Sequence, residues 1–444
     1  MNLHHFAYIP NHIVLRRYKT VEIYDLKQEE SYIIDDEAYS LLQLIDGTTT
    51  IEAIVNQYEK DKKEEALEAI EQFNELDIVK VSEEIINDSS SLSKQHISIP
   101  DENPFEPPYL KNLMINITER CNLTCKHCYI TDKNQKDMNF EKLFGLIRKF
   151  HELQGIRLIL TGGEPFLYDN IKSLLQELVH MPLQKVLLTN GILIPQQKPE
   201  IMELLKKNQF EVFVSLDGLK SSHNELRNSE CFQETIDGIK RLLEYDITVS
   251  INTMVHGRNF EEFEEMSQFL RSLGKIKNWA IDIPTFDEQI PQTVREMYEI
   301  SPEKGGEILR NYGWGVMVES GLGEQGLNLA CGPNLMAIDV VGRVTKCGFF
   351  TDLSPGNVFD LGLKESWEFI QKEANWDIGY LKCAELECEF LNDCRGGCRF
   401  RAFHCSDEVT GIDPYKCGQY NRKIKNKAKE IEKKREFDED SEKR

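Results

Sequence analysis

The sequence predicts an α/β fold in which six strand–helix units build a parallel sheet, open or curled into a partial (β/α)6 barrel. From Leu110 to about Pro284, strand-like runs rich in apolar and β-branched residues alternate with amphipathic helical patterns. The strand-like runs are NLMINIT, IRLILTGG, KVLLTNG, FEVFVSLDG, ITVSINTMV and NWAIDIP. Apolar strands alternating with helices are typical of a parallel sheet that helices cover.

Composition limits the classes of protein to which the chain can belong. Its 444 residues are enough for two or three domains, and a net charge of -22 argues against a nucleic-acid partner. The apolar runs are too short to cross a bilayer, and the first residues lack the order of features found in secretory signals. We therefore expect a cytoplasmic protein without a membrane partner. In that compartment twelve cysteines indicate metal binding or burial rather than disulfides.

The regions on either side of the strand–helix units have different patterns. Strand-like pieces followed by helical stretches predict a small winged-helix-like unit at the N-terminus, where acidic residues outnumber basic ones and so disfavour DNA binding. We predict the following organisation: a winged-helix-like domain at 1–83, a linker at 84–109, the partial barrel at 110–290, a bridging region at 291–330, a cysteine-rich domain at 331–420 and a charged tail at 421–444.

Three cysteines stand close together directly after the first strand-like run. Cys121, Cys125 and Cys128 lie in NITERCNLTCKHCYI with the spacing C-x3-C-x2-C. Structural zinc sites and filled iron–sulfur clusters use four protein ligands, so three cysteines leave one coordination position open. A zinc site with His127 as fourth ligand is the competing interpretation. The motifs TGGEP, TNG and SLDG end the next three strands, and sites in such folds lie at the carboxyl ends of strands.

The cysteine triplet resembles the signature of the radical S-adenosylmethionine superfamily, and residues of about 110–284 resemble its partial (β/α)6 TIM-like barrel. The resemblance implies a [4Fe–4S] cluster whose open iron binds S-adenosylmethionine. One electron from the cluster would cleave the cofactor to methionine and a 5′-deoxyadenosyl radical, which takes a hydrogen atom from the substrate. A small redox protein would then supply the electron.

The same resemblance implies a set of cofactor-binding residues. Glu164, with its two preceding glycines, would accept the cofactor's amino group, Arg227 would pair with its carboxylate, and the backbone at Tyr129 would contact its adenine. Positions on the fourth and fifth strands would contact its ribose or carboxylate. The full set comprises Tyr129, Gly162, Gly163, Glu164, Ser215, Arg227 and Asn252.

The C-terminal cysteines resemble the SPASM domain, an extension of radical enzymes with two auxiliary [4Fe–4S] clusters. The resemblance assigns Cys331, Cys347 and Cys398 to the first cluster, whose fourth position is either open or closed by Cys405. It assigns the second cluster to Cys383, Cys388, Cys394 and Cys417. The chain has C-x4-C where the family pattern has C-x2-C, and a pair of zinc-ribbon sites is the alternative. Cys231 is expected to be a buried thiol.

The N-terminal unit resembles the recognition element of enzymes that modify ribosomally synthesised peptides. In that family a precursor leader adds a strand to a sheet edge, for which Val21–Leu26 and Tyr32–Asp35 are candidates. Together the three regions resemble a maturase that makes a thioether, another crosslink or an oxidation in a precursor peptide. The alternatives are an anaerobic sulfatase-maturing type of enzyme and a zinc-stabilised winged-helix binding protein.

Overall fold

The computed structural model describes residues 2–86, 99–128, 130, 135–285, 291–315 and 328–420. The chain forms two compact units. The first contains Met1–Lys111 together with Ile147–Arg157 and His180–Gln184, and the second contains the remainder. The predicted tail at 421–444 lies outside the described residues.

The first unit combines short antiparallel sheets with three helices. A three-stranded sheet has the order β2-β3-β4, and a two-stranded sheet pairs β1 with β5. Asp35 and Thr50 cap the first two helices, because their side chains accept bonds from the backbone amides of Ala38 and Ala53. The elements are β1 (Phe6–Tyr8), β2 (Ile13–Arg17), β3 (Val21–Asp25), β4 (Glu30–Ile34), β5 (Lys80–Ser82), α1 (Asp36–Leu44), α2 (Ile51–Val55) and α3 (Lys63–Glu75).

One of the two predicted sheet edges is wrong. The segment Val21–Leu26 forms the central strand β3, which pairs with β2 on one side and with β4 on the other. Its alternating buried positions reflect a sheet with one covered face, and this pattern does not distinguish a central strand from an edge strand. The other candidate, Tyr32–Asp35, falls largely on β4, which is an edge of the three-stranded sheet.

The described end of the predicted linker is packed. Phe105, Tyr109 and Leu110 are buried, and the Asn103 side chain donates a 2.7 Å hydrogen bond to the carbonyl of Arg17. These residues belong to the first unit. Residues 99–111 therefore form an irregular but packed connection.

The second unit contains one eight-stranded sheet in the order β11-β10-β9-β8-β7-β6-β12-β13. The predicted fold class, a mixed α/β partial barrel, is confirmed, and all six strand-like runs form strands. The sheet is longer than predicted, because β12 from the cysteine-rich region pairs in parallel with β6. The strands are β6 (Asn112–Thr118), β7 (Arg157–Gly162), β8 (Gln184–Thr189), β9 (Glu211–Ser215), β10 (Thr248–Met254), β11 (Ile276–Asp282), β12 (Leu335–Ile338) and β13 (Val344–Thr345).

Helices lie between the successive strands from β6 to β11, and the cysteine-rich region contains several short helices. None of the helices in the described ranges is both long and apolar enough to cross a membrane. The helices are α4 (Phe140–Glu152), α5 (Ile171–Leu178), α6 (Pro199–Lys207), α7 (Lys220–Arg227), α8 (Phe232–Glu244), α9 (Phe263–Leu273), α10 (Gln292–Tyr298), α11 (Pro302–Asn311), α12 (Val358–Leu361), α13 (Leu363–Glu373), α14 (Lys382–Glu385), α15 (Leu391–Cys394), α16 (Arg399–Ser406) and α17 (Pro414–Gln419).

Arg16 is a buried cation that stabilises the first unit through backbone carbonyl groups. Its side chain is 1% exposed and donates to the carbonyls of Gly155 at 2.9 Å and Pro182 at 2.7 Å. Burial lowers the pKa of Arg16 to about 10, so the guanidinium remains charged at neutral pH. Removing it leaves buried carbonyls without donors, which costs about 1–3 kcal/mol.

We predict that Arg16→Leu lowers the stability of the first unit. The measurement is hydrogen exchange in strands β2 and β3 of the full chain, where protection should fall. The control is Lys62→Ala, which removes a surface ion pair with Glu37 and should leave protection nearly unchanged. Equal protection in wild type and Arg16→Leu would contradict this account of the buried arginine.

Candidate functional site

The loop after β6 carries Cys121, Cys125 and Cys128, and both of its ends are fixed. The hydroxyl of Thr118 donates a 2.6 Å hydrogen bond to Asp137, and Arg120 Nε donates to the same carboxylate at 3.0 Å. Although burial acts to raise the pKa of Asp137, these donors lower it below its usual value. The loop that begins at Thr118 is therefore closed by an ionised carboxylate.

The glycines that end β7 lie directly against the start of this loop. The amide of Gly163 donates to the carbonyl of Thr118 at 2.7 Å, and the amide of Glu164 donates to the carbonyl of Arg120 at 2.7 Å. A Cβ atom at Gly162 would be 2.4 Å from the Thr118 oxygen, and one at Gly163 would be 2.3 Å from the Arg120 oxygen. No larger residue fits either position without moving the cysteine loop.

Glu164 is completely buried, and its carboxylate joins the ends of two strands. Oε1 accepts from the Thr189 hydroxyl at 2.7 Å and from the Phe166 amide at 3.2 Å, and Oε2 accepts from the Asn190 amide at 2.9 Å. Burial raises the pKa of Glu164, while these donors act to lower it. Because a carboxylate offers about four acceptor positions, Oε2 retains one for a further donor.

None of the twelve cysteines, all of which are described, is in a disulfide. Hydrogen-bond donors point at two sulfurs of the triplet: the Leu123 amide lies 3.4 Å from Cys121 Sγ, and Arg227 Nη1 lies 3.8 Å from Cys125 Sγ. Such donors favour thiolates, the form that binds metal, so the donor set fits an iron–sulfur cluster. In the part of the chain that the structure describes, no three His, Cys, Asp or Glu side chains are yet arranged to hold a metal ion.

Arg227 has a protein partner that the sequence did not indicate. Its Nε donates to Asp217 Oδ2 at 2.5 Å, and Nη2 forms an ion pair with the same oxygen. Burial favours the neutral form of each group, but the pair keeps both ionised: Arg227 lowers the pKa of Asp217 to about 2, and Asp217 with Cys125 raises that of Arg227. Two guanidinium N–H bonds have no partner among the described residues and remain available to an anion.

The structure places Ser215 and Asn252 side by side. They are register partners near the carboxyl ends of β9 and β10, so their side chains project from the same face of the sheet. Both are half-buried. Tyr129, the remaining predicted cofactor contact, lies outside the described residues.

Four of the C-terminal cysteines surround one small cavity. Cys383, Cys388, Cys394 and Cys417 all line it, and Phe390, Leu391, Gly396 and Tyr420 complete its wall. Burial, together with the proximity of the other three sulfurs, raises the pKa of Cys417 to about 12. A bound cation would reverse this shift, because metal binding removes the thiol proton. The structure thus brings together the four residues that the sequence assigned to one cluster.

A second group of three cysteines, Cys331, Cys347 and Cys398, is half-buried. Burial and the neighbouring Cys331 raise the pKa of Cys347 to about 11, and the pKa of Cys398 is about 12 for the same two reasons. The Phe350 amide donates to Cys347 Sγ at 3.3 Å. Beside them lies Lys346, 1% exposed, whose amine donates to Asn375 Oδ1 at 2.8 Å and whose pKa burial lowers to about 8.

Asp413 connects both cysteine groups and was not predicted from the sequence. Its Oδ2 accepts from the Cys398 amide at 2.8 Å and from Arg401 Nη2 at 3.0 Å, while Oδ1 caps the helix that carries Cys417. Arg401 also forms an ion pair with Asp282 at the end of β11. Local sequence patterns do not indicate this arrangement, because the partners are not adjacent in the chain.

The two remaining cysteines have ordinary surroundings. Cys231 is buried, as predicted, and lies 3.5 Å from His223 Nε2. Cys405 is exposed and lies on α16, seven residues after Cys398, which is about 10 Å along a helix axis.

His127 has a buried Nδ1 atom that lacks a hydrogen-bond partner, and burial lowers its pKa to about 3, so the imidazole is neutral.

Comparisons with known proteins agree with this geometry. The model of the radical SAM superfamily matches residues 115–270. The antilisterial bacteriocin subtilosin biosynthesis protein AlbA of Bacillus subtilis is 24% identical over 390 residues, which cover 84% of this chain and 85% of that protein. The AdoMet-dependent heme synthase of Oleidesulfovibrio alaskensis is 25% identical over 351 residues, covering 69% of this chain and 87% of that protein.

A solved structure shares the fold over almost the whole chain. Streptococcus suis SuiB bound to its precursor peptide SuiA is 17% identical, with a TM-score of 0.63, covering 93% of this chain and 100% of that chain. The superfamily match includes the cysteine loop, the two glycines with Glu164, and the Asp217–Arg227 pair. The chain therefore carries a radical S-adenosylmethionine domain, the domain of enzymes that use this cofactor with a [4Fe–4S] cluster.

Proposed function

We propose that this chain is a maturase of ribosomally synthesised peptides, which binds the leader of a precursor peptide and modifies its core. The main support is the extent of its similarity to AlbA, which covers 84% of the chain and therefore must extend outside residues 110–420. The fold shared with peptide-bound SuiB covers 93%. Both comparisons thus reach beyond the radical domain, as expected if the first unit serves the same activity.

In the proposed site, Cys121, Cys125 and Cys128 hold the radical cluster. When bound, the cluster and S-adenosylmethionine supply a 5′-deoxyadenosyl radical that abstracts a hydrogen atom from the peptide. The protein binds and orients the cofactor. The residues we assign to it are Tyr129, Gly162, Gly163, Glu164, Ser215, Arg227 and Asn252.

Glu164 and Arg227 have complementary parts in this assignment. The remaining acceptor position of Glu164 suits an ammonium group, and the two remaining N–H bonds of Arg227 suit a carboxylate. Both side chains are buried, which strengthens such interactions relative to water. Together they provide opposite charges for the two ends of an amino acid.

We assign two auxiliary [4Fe–4S] clusters to the C-terminal region. Cys383, Cys388, Cys394 and Cys417 would hold one cluster, and Cys331, Cys347 and Cys398 would hold the other. Cys405 is exposed and lies two helical turns from Cys398, which favours an open fourth position in the cluster of Cys331, Cys347 and Cys398. That open position would bind a substrate thiolate, or an auxiliary cluster would accept the leftover electron, and a small redox protein would reduce the enzyme.

The outer edge of β4 is suited to binding the leader. The Leu26 amide donates a hydrogen bond to the His12 carbonyl. Along an antiparallel strand, successive residues bond alternately to the strand on one side and to the strand on the other. This bond and the registers therefore determine which way each backbone group of β2, β3 and β4 points. The backbone amide and carbonyl of Tyr32 consequently form hydrogen bonds with β3, whereas those of Ser31 and Ile33 point away from the sheet. Ile33 is also 62% exposed. An extended peptide can therefore add a strand here through backbone hydrogen bonds.

We predict that Ile33→Pro weakens leader binding by about tenfold, because it removes one outward amide donor. A proline whose nitrogen faces away from the sheet is tolerated in an edge strand, so the fold should persist. Binding is measured by fluorescence anisotropy with labelled copies of any short peptide found to be encoded beside the gene. The control Ile33→Val keeps the amide and should retain affinity, whereas full affinity in Ile33→Pro would exclude this edge.

We predict that Glu164→Gln reduces S-adenosylmethionine cleavage at least about tenfold, because the amide nitrogen faces amide and hydroxyl donors and offers no acceptor in return. The measurement is 5′-deoxyadenosine released per cluster after reduction with dithionite. Glu177→Gln, which changes an exposed carboxylate on the next helix, is the matched control. Undiminished release from an iron-loaded Glu164→Gln variant would remove this residue from the cofactor site.

The heme synthase relatives indicate a second candidate substrate class. Their similarity extends over 69% of this chain, less than that of AlbA, and so gives less support for a shared first unit.

An enzyme of the sulfatase-maturing type would act on a folded protein and would not require the β4 edge. A zinc-stabilised binding protein would contain zinc without iron. Incubation of the reduced enzyme with the encoded peptides, followed by mass spectrometry, tests the proposal, and unchanged peptide masses would oppose it.

A further inference from the structure

We propose that Asp217 is a positioning residue for the radical cluster: it holds the Arg227 guanidinium so that Nη1 donates a charge-assisted hydrogen bond to Cys125 Sγ. The inference rests on the proposed cluster at Cys121, Cys125 and Cys128. It gives Arg227 a second role besides binding the cofactor carboxylate. Nothing in the motif around Arg227 indicates this role, since Asp217 lies ten residues earlier, in the loop between β9 and α7.

The position of Asp217 is determined by contacts on every side. The side chain is 0% exposed, and Oδ1 accepts from the Met254 amide at 2.9 Å. Its carbonyl accepts from Asn259 Nδ2 at 2.8 Å, and its amide donates to His223 Nδ1 at 3.1 Å. Its carboxylate therefore has one available orientation, in which Oδ2 meets Arg227.

Arg227 in turn has little freedom to point elsewhere. It is the last residue of α7, and the carbonyl of its neighbour Leu226 accepts from the Lys126 amide at 3.0 Å, which attaches this helix end to the cysteine loop. With Nε and Nη2 on Asp217, the planar guanidinium directs Nη1 towards Cys125 at 3.8 Å. A lysine could not hold two partners in this fixed geometry.

This hydrogen bond should make the cluster easier to reduce. Donors to cluster sulfurs withdraw negative charge, and reduction adds an electron, so each such donor raises the reduction potential. Loss of the Arg227 donor should therefore lower the potential. If Asp217 acted only through its negative charge, removing that charge should instead raise the reduction potential, because an added electron is repelled less when a nearby anion is lost.

The two explanations predict shifts of the reduction potential in opposite directions for Asp217→Asn, so a titration can separate positioning from simple electrostatics. The radical cluster is identified by electron paramagnetic resonance as the signal that changes when S-adenosylmethionine is added. Its reduced fraction is then measured at a series of fixed potentials without the cofactor, for wild type, Asp217→Asn, Arg227→Gln and the double variant. Arg258→Gln, an exposed arginine paired with Glu225, serves as the control.

We expect the ratio of reduced to oxidised radical cluster to fall about tenfold at a given potential in both single variants, the effect of one charge-assisted hydrogen bond. The double variant should match Arg227→Gln, because Asp217 acts only through Arg227. Iron and sulfide contents should equal those of wild type, and the control should titrate as wild type. If the Asp217→Asn variant contains less iron than wild type, the titration of Arg227→Gln alone tests whether the hydrogen bond from Arg227 affects the reduction potential.

A rise of the reduced fraction in Asp217→Asn would show that Asp217 acts by its charge and would overturn the positioning role. An unchanged titration in iron-loaded Arg227→Gln would overturn the hydrogen bond itself. A wild-type chain loaded with iron but without a cofactor-sensitive signal would instead overturn the proposed function, and the inference would fall with it. The wild-type spectrum thus distinguishes the two failures.

Discussion

The close backbone contact between the end of β7 and the start of the cysteine loop is the constraint on which the site depends. Two amide–carbonyl bonds, from Gly163 to Thr118 and from Glu164 to Arg120, place the loop against the sheet. The contact requires glycine at two successive positions, because a Cβ atom would overlap the loop carbonyls. The same turn buries the Glu164 carboxylate among donors from the end of β8. One short motif therefore orders the cysteine loop and the carboxylate together.

Carboxylates recur as the groups that organise this chain around its sulfur atoms. Asp137 closes the triplet loop, Asp217 orients the arginine that contacts Cys125, and Asp413 bonds the Cys398 amide while capping the helix of Cys417. In the proposed clusters these hydrogen-bonded carboxylates would orient the cysteine ligands without competing strongly for iron. The acidic composition thus includes a small number of structural carboxylates as well as a solvated surface.

Local sequence patterns predicted the strands and the first helices, because apolar runs determine strands locally. The two C-terminal cysteine groups were implied by the resemblance to the SPASM domain. The patterns did not identify β3 as a central strand, because pairing on two sides depends on where β4 returns. They also missed Asp217, Asp413 and Lys346, whose importance arises from contacts with residues distant in the chain. An Asp in SLDG resembles an ordinary turn residue until the fold brings Arg227 against it.

The most direct test of this account is the iron and sulfide content per chain after anaerobic purification, with and without the Cys121/Cys125/Cys128→Ala triple substitution. About twelve irons in wild type and about eight in the variant are expected for three cubes, one of them held by the triplet. An unchanged iron content in the triple variant would contradict the radical cluster at these residues. Zinc without iron, even after anaerobic reconstitution, would contradict the account as a whole.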